Sequence, residues 1–363
     1  MNVLLLHEFH HALGAGFSGL NGQEIIADYG DVPAEYRALK ESAGVLDFSF
    51  RGRICLTGND RARFLHGQVT NDIKKLQAGE GCYAAITTAK GKMESDLNVF
   101  NLPDELLLDF EPGLTERISQ RLEKFIVADD VQIVDAAPHY GLLTVQGPKA
   151  AEVARSIGLL EDVPAREWVL MKVADATLGE IYVVNMRRIS GPGFDIFVPN
   201  ESMGAVADKL IAAAERVGGR ASGWMAFETA RIESGIPRFG ADMDETNLPM
   251  ECIERRAVSF NKGCYIGQEV LNRIHAMGHV AKELRSLRLA DELRTLPNKG
   301  DKLFRDGKEI GYITSAVRSP ACDANIALGY VRREANQIGM ELTVQTPDGD
   351  CPVKIVELPF GTK

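Results

Sequence analysis

A change of hydrophobic pattern near Ala281 constrains this chain more than any other feature of its sequence. Before that point, short apolar runs at 54–56, 83–86, 106–110 and 131–134 alternate with a helical pattern carried by Leu114, Ile118, Leu122 and Phe125. Runs of that length read as strands, and apolar residues three or four apart read as one face of a helix. The theme then repeats. The run 142–145 ends at Gly147-Pro148, a helix-start signal, and 149–157 follows with Val153 and Ile157 on one face. Strand-like 181–186 and 194–198 flank the turn Ser190-Gly191-Pro192-Gly193, after which Val206, Leu210, Ala213, Ala214 and Val217 mark an amphipathic helix. After 281 the pattern becomes short strands with turn chemistry between them. Asp306-Gly307, between Leu303-Phe304 and Ile310, is a two-residue hairpin signal, and Pro347-Asp348-Gly349 is a second turn. The reading is α+β or α/β material first, then a separate small β barrel of about 80 residues.

Composition narrows the function classes. The 363 residues allow roughly two to three domains, and 45% hydrophobic with 25% charged residues excludes disorder and collagen. Six cysteines (Cys55, Cys82, Cys252, Cys264, Cys322, Cys351) contain no CxxC pair, which argues against a zinc cage and a secreted disulfide framework. The first 13 residues hold no Lys or Arg, so a signal peptide is not expected, and no run approaches the roughly 20 apolar residues of a membrane span. The expected setting is the cytoplasm. With 41 basic against 51 acidic residues the net charge is -10, so no broad positive field exists to hold phosphates, and nucleic acid is not an expected ligand.

Three segments invite chemistry and read more simply. His7-Glu8-Phe9-His10-His11 has the HExxH form of zinc proteases, but Phe17 stands where a third histidine would belong, so an amphipathic first helix is expected and no metal. Residues 238–245 are acidic but lack EF-hand spacing, which leaves a solvated turn or cap. The turn at 190–193 has no following Lys-Ser/Thr and is not a P-loop. More informative is Asn261-Lys262-Gly263-Cys264-Tyr265-Ile266-Gly267-Gln268-Glu269-Val270. Two glycines bracket Cys264-Tyr265, and Lys262, two residues from the thiol, would favour the reactive thiolate. Gln268 and Glu269 supply polar partners for the loop. A buried, inert cysteine beside a glycine turn is the competing reading.

Lys262-Gly263-Cys264-Tyr265-Ile266-Gly267-Gln268-Glu269 closely resembles the signature of the YgfZ-type folate-binding proteins, relatives of the glycine cleavage T-protein (aminomethyltransferase). The likeness runs over nearly the whole chain. It includes 233–245, 11–15, 64–72, Lys90-Gly91-Lys92, 311–315, Ser319-Pro320 and 326–331. The resemblance implies two interleaved α+β domains over 1–280 around a central tetrahydrofolate site, and a C-terminal β barrel over 281–363. It implies tetrahydrofolate, or a one-carbon-substituted folate, as cofactor, with Arg231 and Asp96 facing it and Tyr83 as a wall, although a core tyrosine is the simpler reading of Tyr83. An ion pair of Arg231 with Glu233 or Glu228 is the structural alternative.

Two departures from the T-protein pattern bear on chemistry. The family's acidic pair falls here on Ser95 and Asp96, and its pterin-binding glutamate falls on Gly191, two residues before Gly193-Phe194-Asp195. The resemblance therefore implies a folate-dependent accessory factor for assembling or repairing iron-sulfur enzymes, including those that modify tRNA. Its client or assembly proteins would be the partners. Cys264 is then the exchange-competent thiol, with Lys262, Tyr265, Gln268 and Glu269 around it as candidate cofactor-binding residues. A single cysteine does not hold a cluster, which takes about four ligands. The alternative is true aminomethyl or one-carbon transfer through Asp96.

Overall fold

The structure, a computed structural model, describes residues 1–157, 162–346 and 349–357. Its contacts group into two compact units. The first comprises Met1–Ile86, Ser95–Ala230 and Asn261–Tyr265, and the second Thr87–Glu94, Arg231–Phe260 and Ile266–Lys363.

Two large sheets, with the small hairpin of Gly16–Leu20 and Gln23–Asp28, build the first unit. In the six-stranded sheet the order is Leu170–Asp175, Gly179–Asn185, Gly193–Pro199, Tyr140–Gln146, Gly44–Asp47 and Arg220–Ala221. The five-stranded sheet runs Gly81–Thr87, Met93–Asn101, Leu106–Phe110, Gly52–Thr57 and Gln132–Asp135. The chain leaves the first sheet after Asp47, completes the second, and returns at Tyr140, so the two layers are interleaved in sequence. Each sheet buries one face under helices. Val206, Leu210 and Ala214 of helix Met203–Arg216 pack on Leu143, Val145, Phe194 and Ile196. Phe64, Leu65, Ile118 and Leu122 cover Ile54, Leu56, Val99 and Leu108. The opposite faces share a third core, where Phe100 of one sheet meets Phe197 of the other at 5.9 Å between ring centroids.

The expected helices form with trimmed ends: Thr115–Glu123, Ala150–Arg155 and Met203–Arg216. At the start, His7–Ala12 is a short helix whose histidines meet carboxylates: His7 Nδ1 lies 2.8 Å from Glu24 and His10 Nε2 3.1 Å from Asp47.

The second unit carries the barrel expected after 281. It closes in the order Lys282–Leu289, Ala324–Arg332, Lys308–Ser319, Lys302–Arg305, Glu341–Thr346 and Gly349–Val356. Asp306 and Gly307 both take positive φ, 50° and 75°, the geometry a two-residue hairpin turn requires. In the second hairpin Thr346 pairs with Gly349, while Pro347 and Asp348 lie outside the described residues. This unit also holds the strand ends and turn at 87–94, which explains one glycine of the signature. Gly267 has φ +90°, and a Cβ there would fall 2.5 Å from Thr87 Oγ1 and 2.7 Å from Thr88 O. No helix among the described residues is long and apolar enough to cross a membrane.

Candidate functional site

The five-stranded sheet turns a row of polar side chains away from its helix-covered face. Strand alternation sends Leu97 and Val99 into the helix-covered core, and Asp96, Asn98 and Phe100 to the other side. On the neighbouring strands Asp109 stands opposite both Asn98 and Arg53 in register. Such positions in a strand ordinarily face solvent, but here Arg53 and Asp109 are buried.

Asp109 is the centre of a charge network. Arg51 donates to both its carboxylate oxygens, at 2.7 and 3.2 Å, and Arg188 and Asn98 donate at 2.9 and 3.0 Å. Two guanidinium groups hold the Asp109 carboxyl far below the usual range despite burial, and they outweigh the desolvation cost. Arg188 also forks onto Asp195 of the six-stranded sheet, with Nε 3.0 Å from each oxygen. Arg51 reaches Glu111 at 2.5 Å. Arg53 donates instead to the carbonyls of Ser49, Arg51 and Tyr140, and burial lowers it to about 10. Trp168 completes the group by donating its indole N–H to Asn98 at 3.1 Å. Its backbone has φ 57°, a left-handed conformation that costs a bulky residue about 1–3 kcal/mol.

Asp96 sits beside this network without being neutralised by it. Tyr83 donates its hydroxyl to Asp96 Oδ2 at 2.6 Å, while the buried Oδ1 has no hydrogen-bond partner in the protein. Burial, and then the nearby Glu111, push the Asp96 carboxyl up to about 6, against the Tyr83 hydrogen bond and Arg51. A carboxyl in that state can exchange a proton near neutral pH. Ser95 points its hydroxyl at the carbonyl of Asp96 and faces the buried core.

The other expected site residues divide differently. Lys262 is buried and its ammonium donates to three carbonyls: His66 and Val69 at 2.6 Å and Asn71 at 2.7 Å. Its ring neighbour is Tyr265, 4.7 Å from the centroid, and the buried Tyr265 hydroxyl has no protein partner. Burial lowers Lys262 to about 8, opposed by Asp72. The expectation that Lys262 serves the Cys264 thiol thus meets a different geometry: the ammonium satisfies the acceptors of a turn. Cys264 is exposed, whereas the other five cysteines are buried or half-buried.

Arg231, expected to face a folate carboxylate, is buried in the second unit at 1% exposure. It forms an ion pair with Asp242 and donates to the carbonyl of Ile236 and the hydroxyl of Ser315. Thr314 and Ser315 both donate to Asp242, at 2.7 and 2.6 Å. Asp242 is thus a partner that the expected alternatives, Glu233 and Glu228, did not include, and Glu233 accepts from the Ser319 hydroxyl at 2.5 Å. The physical reason is that helix Trp224–Glu233 ends just after Arg231, and the chain turns back to bring Asp242 against it. Gln268 opens helix Gln268–Met277 half-buried, and Glu269, 87% exposed, makes an i,i+4 pair with Arg273 at 3.0 Å. An exposed pair of that kind positions little.

Two family models match this sequence. One, described as the GCVT N-terminal domain, spans residues 6–262, and the other, the glycine cleavage T-protein C-terminal barrel domain, spans 282–361. The chain belongs to the glycine cleavage T-protein family. The T-protein barrel match begins where the closed barrel's first strand begins, at Lys282. Among T-protein relatives, the aminomethyltransferase of Lysinibacillus sphaericus is 28% identical over 98% of this chain and 96% of its own length. That of Herpetosiphon aurantiacus is 28% identical over 98% and 97%. The solved structure of the glycine cleavage system aminomethyltransferase T from Bartonella henselae matches with a TM-score of 0.89 at 23% identity, over 99% of this chain and 98% of that one, and so has the same fold.

Proposed function

We propose that the Tyr83–Asp96 site binds the reduced pterin end of tetrahydrofolate, or of a one-carbon-substituted folate, and that Asp96 manages the proton on a folate amine during one-carbon transfer. The observation that carries this reading is the free, buried Oδ1 of Asp96 on a carboxyl pushed up to about 6. Tyr83 occupies Oδ2, so Oδ1 is the oxygen left for the ligand. Tyr83 and Trp168 offer aromatic surface on the same row as Asn98, which suits a flat heterocycle with polar edges. The names of the relatives support transfer, since each is called an aminomethyltransferase. The substrate class is then an aminomethyl group on a carrier or small amine. Tetrahydrofolate supplies the acceptor for the one-carbon unit.

Calorimetric titration with tetrahydrofolate tests the binding half. Micromolar affinity, about -8 kcal/mol, is expected for the wild type, with loss of at least tenfold in Asp96→Asn. No heat at millimolar folate overturns the reading. Release of ammonia and formation of methylenetetrahydrofolate test the transfer half, where Asp96→Asn is expected to lower the rate about a hundredfold or more.

A specific observation favours a second reading. The signature at 262–269 resembles the YgfZ-type proteins, and its Cys264 is the exposed thiol of the six. An accessory role toward iron-sulfur enzymes, including tRNA-modifying ones, would use folate binding together with that thiol, in a reducing, cytoplasmic setting. Under this reading Cys264→Ser abolishes rescue of iron-sulfur enzyme activity in cells lacking the native copy, with folate affinity unchanged. If Cys264→Ser rescues fully and transfer is measurable, the accessory role fails.

A further inference from the structure

We infer that Lys262 is a positioning residue for the folate site, because its ammonium clamps the turn at 66–71 and that clamp reaches Asp96 through Asn71 and Tyr83. The inference rests on the reading of Asp96 as the folate-facing carboxyl. Each link is a short hydrogen bond within the first unit. Lys262 Nζ donates to the carbonyls of His66, Val69 and Asn71 at 2.6, 2.6 and 2.7 Å. The Asn71 side chain donates to the carbonyl of Tyr83 at 2.8 Å, and the Tyr83 hydroxyl donates to Asp96 Oδ2 at 2.6 Å.

The geometry suits a clamp better than a thiol activator. Helix Arg61–Gln68 ends at this turn, and its terminal carbonyls lack intrahelical donors. One compact ammonium with three donors satisfies His66, Val69 and Asn71 together, a role that a planar guanidinium does not fill. Removing it leaves buried acceptors unsatisfied at the point where Asn71 braces the Tyr83 backbone. Tyr83 would then present its hydroxyl to Asp96 less well. A hydrogen bond to the ionised form favours that form, so losing it makes Asp96 hold its proton to higher pH. The groups acting on Asp96 are Glu111, Arg51 and Tyr83, and those around Lys262 are Asp72, Cys82, Lys74 and His66.

The test reads Asp96 directly in the full-length protein without folate, by NMR titration of carboxyl-labelled aspartate, with the signal assigned from Asp96→Asn. Tyr83→Phe is expected to raise the Asp96 midpoint by about one unit, a tenfold change in proton affinity. Lys262→Met should move it the same way, and Lys262→Met with Tyr83→Phe should go no further than Tyr83→Phe alone. Asn71→Ala cuts the middle link with Lys262 intact and is expected to shift Asp96 upward, which keeps the inference open to test if Lys262→Met does not fold. A structural lysine alone would lower the melting temperature and leave the midpoint in place. That result, or additive shifts in the double variant, overturns the inference. Folate titration of the wild type is scored separately: its failure removes the folate reading, while the midpoints still decide whether Lys262 positions Asp96.

Discussion

Asp96 and Asp109 lie on adjacent strands of one sheet, and they are opposite solutions to burying a carboxylate. Asp109 receives donors from Arg51, Arg188 and Asn98, and its proton affinity falls far below the ordinary value. Asp96 receives one phenol hydroxyl, keeps Oδ1 without a protein partner, and rises to about 6. The well-paired group is held ionised by two guanidinium groups and is structural. The half-paired one carries an energetic penalty that a ligand can relieve, which is how a functional site differs from a core ion pair.

Breaking the structural member should have the largest effect. Asp109→Ala leaves Arg51 and Arg188 buried without their shared partner, and a loss of about 3–5 kcal/mol in chemical denaturation is expected. A loss under about 1 kcal/mol would mean that Glu111 and Asp195 alone neutralise both guanidinium groups. In the second unit Asp242, also held below its ordinary value by Arg231, Ser315 and Thr314, follows the same logic with a single guanidinium. Asp242→Ala is expected to cost somewhat less, about 3 kcal/mol, without moving the Asp96 titration.

The poised member should respond with the opposite sign. The native Asp96 carboxyl binds its proton more tightly than the unfolded chain, whose value is near 3.8. Its contribution is therefore favourable at low pH and is lost as pH rises toward about 6. Asp96→Asn removes that penalty, so the variant is expected to gain about 1–3 kcal/mol above pH 6 and little at pH 4. A destabilised Asp96→Asn at pH 7 would place Asp96 with Asp109 as a structural carboxylate. Glu269, exposed and paired only with Arg273, is the reference with neither property. Glu269→Ala should leave both the denaturation midpoint and folate affinity where they are.

The strands and helices that were legible carry either a continuous apolar run, buried on both faces, or one apolar helical side. The runs 106–110 and 142–145 became strands, and Val206, Leu210 and Ala214 became the buried face of one helix. Asp96 and Tyr83 were legible as candidates through family likeness, and the structure pairs them at 2.6 Å. The network of Arg51, Asp109, Arg188, Asp195 and Trp168 was not. Charged residues at alternate strand positions normally mark a solvent face, and nothing local reports that a second sheet will cover them. The positive φ of Trp168 is also silent in a sequence, because bulky residues rarely adopt it.

Local pattern thus determined several strands and helices, the barrel after 281 and the Asp306-Gly307 turn, and a contiguous signature gave the family likeness; all of these depend on periodicity, turn chemistry or adjacent residues. Only the tertiary structure decided the partners of the charges. Lys262 lies two residues from Cys264 in sequence but donates to carbonyls nearly two hundred positions away, and Arg231 forms an ion pair with Asp242, eleven positions on. A buried charge is held by whichever acceptors the packed chain brings within about 3 Å, and sequence distance carries no information about that.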